Sequence, residues 1–97
     1  MTQEHQMLEK AYTDNIGDHY RSASEELLHA YQRNKEAARH HEAGAFKAAL
    51  HHAKLSKHHS FNAHEHLKEA LIISEKMADM TSPSIGQIGS SGGPMVQ

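Results

Sequence analysis

Apolar and small residues recur along most of this chain at alternating steps of three and four, the spacing of a helix stripe that packs on another helix. The first segment carries Met7, Leu8, Ala11, Tyr12, Ile16, Tyr20, Ala23, Leu27, Ala30, Asn34, Ala37 and His41 in this pattern. The second carries Phe46, Ala49, Ala53, Ser56, Ser60, Ala63, Leu67, Ala70, Ser74 and Met77. The pattern predicts a helix over about residues 2–43 and another over about 45–79.

The strongest break between the two segments is Ala43-Gly44. Glycine suits a helix C-terminus because it adopts the left-handed conformation without strain. Since Phe46 can belong to a new helix at once, the second helix should turn back on the first. The predicted fold is therefore all-α, a long antiparallel helical hairpin with its turn at Gly44.

Gly17 leaves two interpretations open, because it could end a first helix or produce only a kink within a continuous one. With a turn at Gly44, residues whose numbers sum to about 88 lie side by side. Ile16 then meets Ile72, and Tyr20 meets Leu67. This matching favours a continuous helix, kinked near Gly17, over a folded-back three-helix bundle.

Several large apolar residues lie off the small-residue seam, and a lone hairpin would leave them exposed to water. They are Leu50, Leu55, Phe61, Leu71, Ile72 and Ile73. This argues for either a third packing helix or a dimer, and we expect a homodimer in which two hairpins form a four-helix bundle. The hairpin domain is predicted to cover residues 1–80. Residues 81–97 hold Gly, Ser and Pro in a composition that predicts a flexible tail.

Composition excludes some classes of protein. The 97 residues include no Cys, which removes disulfides and thiolate metal sites, and the net charge is −2 with neutral histidines. That balance does not indicate nucleic-acid or membrane-surface binding. No apolar run approaches the ~20 residues of a membrane span, and no signal peptide is recognisable. We expect a cytoplasmic protein.

The 11 histidines are the unusual feature of the composition. His51-His52 recurs seven residues later as His58-His59, which places the pairs about 10 Å apart along a helix. One metal ion needs ligand nitrogens about 2 Å away, so residues seven apart cannot share it. No two histidines have the chelating spacing of three or four, although Glu-His pairs such as Glu36 and His40 do.

Metal ligands could also come from both helices of the hairpin. The pairing places His29 beside His58 and His59, and His19 within a turn of His66. It places His40 and His41 close to the turn, with His51 and His52 one to two turns away on the other helix. The candidate metal ligands are His29, His40, His41, His51, His52, His58, His59 and His66. Imidazole ligands favour Zn, Ni or Cu(II). The alternative is that these are solvated side chains that flank a thin alanine seam.

Arg33-Asn34 followed by His40 fits R-N-x5-H, and so resembles the short motif of HEPN-type ribonucleases. In that family the Arg and the His act on the phosphodiester. The alternative is an exposed helix face rich in Arg and His, since so short a pattern arises easily in such a helix.

The run from His40 to Ala70 resembles a group of small His-rich bacterial proteins that carry variations on HHEAG, AAHHA and further His-rich helix. The matching residues are His40, His41, Glu42, Ala43, Gly44, Lys47, Ala48, Ala49, His51, His52, Ala53, His58, His59, His64, Glu65, His66 and Ala70. The resemblance implies a helical hairpin and no particular activity. This chain departs from the group at Ala45-Phe46, where the group is more polar.

The function predicted from these residues is non-enzymatic: weak transition-metal binding or pH-responsive assembly, in stress or metal homeostasis. One alternative is an interaction module, a small adaptor or chaperone-like subunit whose face of Leu50, Phe61, Leu71 and Ile72 docks a partner helix. A HEPN-like ribonuclease is the third hypothesis.

Overall fold

The computed structural model describes residues 3–81, apart from the side chains of His5 and Thr81. Two helices, α1 (Gln3–Glu42) and α2 (Phe46–Thr81), pack along their lengths as an antiparallel pair. The predicted all-α helical hairpin is confirmed. Neither of the described helices combines the length and the hydrophobicity that crossing a membrane requires.

Gly44 ends α1 in the left-handed conformation, with φ of +83°. Two hydrogen bonds complete a Schellman motif: Gly44 N–H donates to the carbonyl of His41, and Ala45 N–H donates to that of His40. Ala45 then accepts a bond from the N–H of Ala49, which forms the first turn of α2. The reversal therefore takes only three residues, and the last turn of α1 lies directly beside the first turn of α2.

The buried residues occur at every seventh position on each helix. They are Ile16, Ala23 and Ala30 on α1, with Ala49, Ala63 and Ala70 on α2. Ser56, which keeps the same spacing on α2, donates from Oγ to the carbonyl of Ala30 across the interface at 2.9 Å. Small side chains let the two axes approach closely, but each alanine methyl contributes only about 0.8 kcal/mol when buried.

The larger residues of the predicted seam lie in a second row that faces outwards. Tyr20, Leu27 and Phe46 follow the three-four alternation, yet they are 44%, 50% and 62% exposed. The close approach at the alanine positions explains this difference. When two helices meet along one small-residue row, the neighbouring row is turned away from the interface and is left for another surface to cover.

α1 is continuous through Gly17, as the residue pairing predicted. A Cβ at Gly17 would meet only the Arg21 side chain, at 3.6 Å. The predicted flexible tail, residues 81–97, lies outside the described residues except for Thr81, where α2 ends.

Candidate metal centre

One side of the hairpin carries a row of polar side chains from both helices, here called the histidine face. It comprises His19, Glu26, Arg33 and His40 on α1, and His52, His59 and His66 on α2. Each set is spaced by seven, so each row runs parallel to the buried alanine row. All except Arg33 are partly buried. The antiparallel pairing brings these side chains together across the helix boundary.

Near the turn, three side chains of this region converge on a common point. One oxygen or nitrogen from each of Glu36, His40 and His52 lies within 4.8 Å of the other two. Glu36 and His40 come from one turn of α1, with Oε1 and Nε2 3.6 Å apart. His52 comes from α2, and its ring lies parallel to that of His40, at an angle of 1° and a centroid distance of 5.1 Å.

This ligand set matches known metal chemistry. Two imidazoles and one carboxylate are a donor combination that proteins use for Zn²⁺, with at least one position left for water or another ligand. Metal–ligand distances of about 2 Å place the donors roughly 3 Å apart, so small side-chain rotations would close the cluster around one ion. All three residues are only half-buried, which leaves room for such rotations.

Two arginines hydrogen-bond to ligand atoms of this cluster. Arg39 Nη2 lies 2.5 Å from Glu36 Oε1 and 3.4 Å from His40 Nε2. Arg33 Nη1 lies 3.2 Å from Nδ1 of His52. Because a guanidinium carries only donors, it holds positions that a metal cation would take. A bound ion would therefore compete with Arg39 for Oε1 of Glu36 and Nε2 of His40.

The electrostatics favour the ligand-competent forms of two cluster members. The hydrogen bond from Arg39 lowers the pKa of the Glu36 carboxyl. The pKa of His52 is lowered too, first because partial burial disfavours the charged ring and then because Arg33 lies close by. A carboxylate and a neutral imidazole are the forms that bind metals, so neither needs to lose a proton at neutral pH.

A second convergence lies farther along the histidine face. The ring centroids of His29 and His59 are 5.1 Å apart, and His59 Nδ1 lies 2.6 Å from Glu26 Oε1. The hydrogen bond from His59 lowers the pKa of Glu26. The Glu26 carboxylate is therefore already hydrogen-bonded to the His59 imidazole, and this convergence is not an open ligand set.

The third pair is His19 and His66, whose Nδ1 atoms lie 3.0 Å apart. Their centroids are 5.3 Å apart, with a tilt of 42°. One neutral ring can donate to the other, whereas two protonated rings would repel each other. The same separation would also suit two ligands of one ion, but none of the described carboxylates completes a three-residue set there.

The remaining candidate ligands lie apart from these contacts. His41 packs edge-on against Phe46. His51 and His58 are exposed and lie beside their sequence neighbours His52 and His59. Of the adjacent pairs on α2, the structure therefore turns only the second histidine of each towards α1.

The sequence indicates Glu36 with His40 as one of several Glu-His pairs at chelating spacing, without favouring it over the others. It does not indicate Glu26 or Arg33 as members of these clusters. Arg33 and His40, the residues of the R-N-x5-H pattern, both contact His52.

No family model, curated protein or solved structure matches the chain.

Proposed function

We propose that this hairpin is a non-enzymatic protein that binds a divalent transition metal ion through Glu36, His40 and His52. The observation that carries the proposal is the convergence of these three donors from two helices within 4.8 Å. Their imidazole-rich chemistry suits Zn²⁺, Ni²⁺ or Cu²⁺ rather than Mg²⁺ or Ca²⁺, which prefer oxygen ligands.

The proposed binding is reversible and of modest affinity. The site supplies three protein ligands, stays accessible to solvent and contains competing guanidinium groups. Such a site would load and release metal as the free concentration changes, which suits a role in metal homeostasis better than a permanent structural ion.

Isothermal titration with Zn²⁺, Ni²⁺ and Cu²⁺ at about pH 7.5, where imidazole is neutral, tests this proposal. We expect one preferred site per chain and a loss of affinity of about tenfold or more in His52→Gln. His51→Gln is the matched control, since it removes an exposed histidine from the adjacent position. Equal affinity in the two variants, or no binding tighter than millimolar in the wild type, would exclude the site.

One observation favours a second candidate function, cleavage of a phosphodiester. Arg33 and His40 both lie against His52, so a guanidinium and two imidazoles share one surface. A His52→Gln variant would weaken either function, but Arg33→Ala separates them. Removal of Arg33 would abolish RNA cleavage, whereas it would leave metal binding intact or stronger because a competing cation is gone. RNA left intact by the wild-type chain would eliminate this candidate.

A further inference from the structure

The described hairpin has an unusually thin core for its length. Its six buried residues are Ile16 and five alanines, and none of the described large side chains is fully buried. Ordering almost 80 residues into two helices carries a large entropic cost, and burial of apolar surface is the main force that offsets it. The hairpin packed only on itself offers little such surface.

Of the twelve large apolar side chains that are exposed among the described residues, seven lie together on the side of the hairpin opposite the histidine face and could supply the missing burial. We call this the apolar face, and it comprises Tyr20, Leu27, Tyr31, Phe46, Leu50, Leu67 and Leu71. Tyr20, Leu27 and Tyr31 are separated by seven and four residues, as one stripe of α1 requires. On α2 the stripe continues with two pairs of residues that are three heptads apart, Phe46 with Leu50 and Leu67 with Leu71.

Two depressions mark this face. Near the turn, a groove of about 680 Å³ runs between the helices and is lined by Ala38, His41, Phe46 and Leu50, among others. Towards the far end, a depression of about 490 Å³ includes Leu67 and Leu71. Most of the lining surface of both depressions is apolar, although His64, Lys68 and Glu75 border the second, so both suit side chains of another apolar surface.

We propose that the apolar face docks on the same face of a second copy of this chain, so that two hairpins form a four-helix bundle. The exposed area supports this occupant. A large side chain has about 200 Å² to bury, and the seven residues are 36–62% exposed. They therefore present roughly 700 Å² per copy, close to the ~800 Å² per partner of a stable interface.

Shape and charge also favour a second copy. The apolar face is two helices wide, whereas a single docked helix would cover one groove only. Another hairpin has the matching width and length, and four-helix bundles are built from such layers. The chain's net charge of −2 is small enough that two copies do not repel each other strongly.

This inference is independent of metal binding, because the Glu36, His40 and His52 cluster belongs to the other side of the hairpin. In the proposed dimer both clusters stay on the outside and remain accessible. Loss of one property should therefore leave the other measurable.

Sedimentation equilibrium of the full-length chain, with circular dichroism on the same samples, tests the proposal. We expect the wild type to have twice the 10.8 kDa mass of one chain at micromolar concentrations. Leu27→Glu and Leu50→Glu should reduce the mass to that of one chain and lower the thermal midpoint. Gln32→Glu, which adds the same charge at an exposed position outside the apolar face, should remain a dimer.

A wild-type chain that stays monomeric and cooperatively folded at about 100 μM would overturn the proposal, since that concentration exceeds the micromolar Kd of a weak interface of this size. If deleting residues 82–97 then lowers the thermal midpoint of that monomer, this segment covers the apolar face instead. A wild-type dimer that Leu27→Glu and Leu50→Glu leave intact would place the interface elsewhere and would equally contradict the assignment.

Discussion

The imidazole rings of His40 and His52 lie parallel across the two helices, with an interplanar angle of 1° and centroids 5.1 Å apart. The contact exists because the Schellman turn at Gly44 brings the last turn of α1 directly beside the first turns of α2. This contact brings His52 next to Glu36 and His40, so residues from two distant stretches of the sequence form one candidate ligand set.

The position of Arg39 predicts that it competes with metal. Arg39→Gln should tighten Zn²⁺ binding about two- to fivefold, since the exposed ion pair between Arg39 and Glu36 would no longer have to be broken. Arg21→Gln is the control, because Arg21 makes a comparable ion pair with Asp18 away from the cluster. Titration calorimetry measures both. Weaker binding in Arg39→Gln would show that Arg39 supports the site rather than competing for it.

The lowered pKa values of His52, Glu26 and Glu36 predict that the metal-free hairpin loses stability on acidification. His52 has a lowered pKa in the folded state, so the unfolded chain takes up its proton first as pH falls below about 6.5, and stability decreases from there. Glu26 and Glu36, also with lowered pKa values, add a second decrease below about 4.5. Both contributions are fully present at neutral pH.

Urea unfolding at a series of pH values measures this effect. His52→Gln should flatten the first decrease and leave most of the second in place, because Arg39 and not His52 is the main cause of the lowered pKa of Glu36. Stability that rises between pH 6.5 and 4.5 would contradict the assignment.

The two glycines in the described hairpin should respond oppositely to alanine. Gly44→Ala places a Cβ on a residue with φ of +83°, which costs about 1–2 kcal/mol even though nothing lies within 4 Å of the new atom. Gly17→Ala lies inside α1 and meets only Arg21 at an ordinary contact distance, so it should stabilise by about 0.5–1 kcal/mol. Chemical denaturation distinguishes the signs. A Gly44→Ala variant that is not destabilised would contradict the left-handed turn, and a destabilised Gly17→Ala variant would contradict regular helix at Gly17.

The alanine row should not tolerate larger side chains. Ala70 is fully buried against α1, so Ala70→Leu would force the helices apart and cost about 1–3 kcal/mol. Ala78→Leu, at an exposed position on the same helix, should change stability by less than about 0.5 kcal/mol. Thermal unfolding of the pair tests the close approach. Equal effects at the two positions would mean that Ala70 is not at the helix contact.

The sequence was sufficient to predict the hairpin, because Gly44 is a strong break and the small-residue spacing defines both helices. The same pairing placed His29 near His59 and His19 near His66, and these contacts are present. The spacing could not reveal which half of the seam is buried. That depends on how closely the helices approach at Ala23, Ala30 and Ala63, which only packing in three dimensions decides.

The residue spacing also could not predict the cluster of Glu36, His40 and His52. Counting from the turn placed His52 one to two turns from His40, not in contact with it. Side chains lean towards the N-terminus of their own helix, so in an antiparallel pair His40 leans away from the turn and His52 leans towards it. The two rings therefore meet although their Cα atoms lie at different levels.

The central claim is that one specific pair of histidines, among 11, binds metal. A zinc titration followed by NMR of the imidazole ¹⁵N nuclei tests it most directly, with each ring assigned by single His→Gln variants. We expect the ring nitrogens of His40 and His52 to shift first and to saturate together, before exposed histidines such as His51 and His58 respond. Simultaneous, non-saturating shifts across all the histidines would contradict the account, because they would show only weak, unspecific binding along the helices.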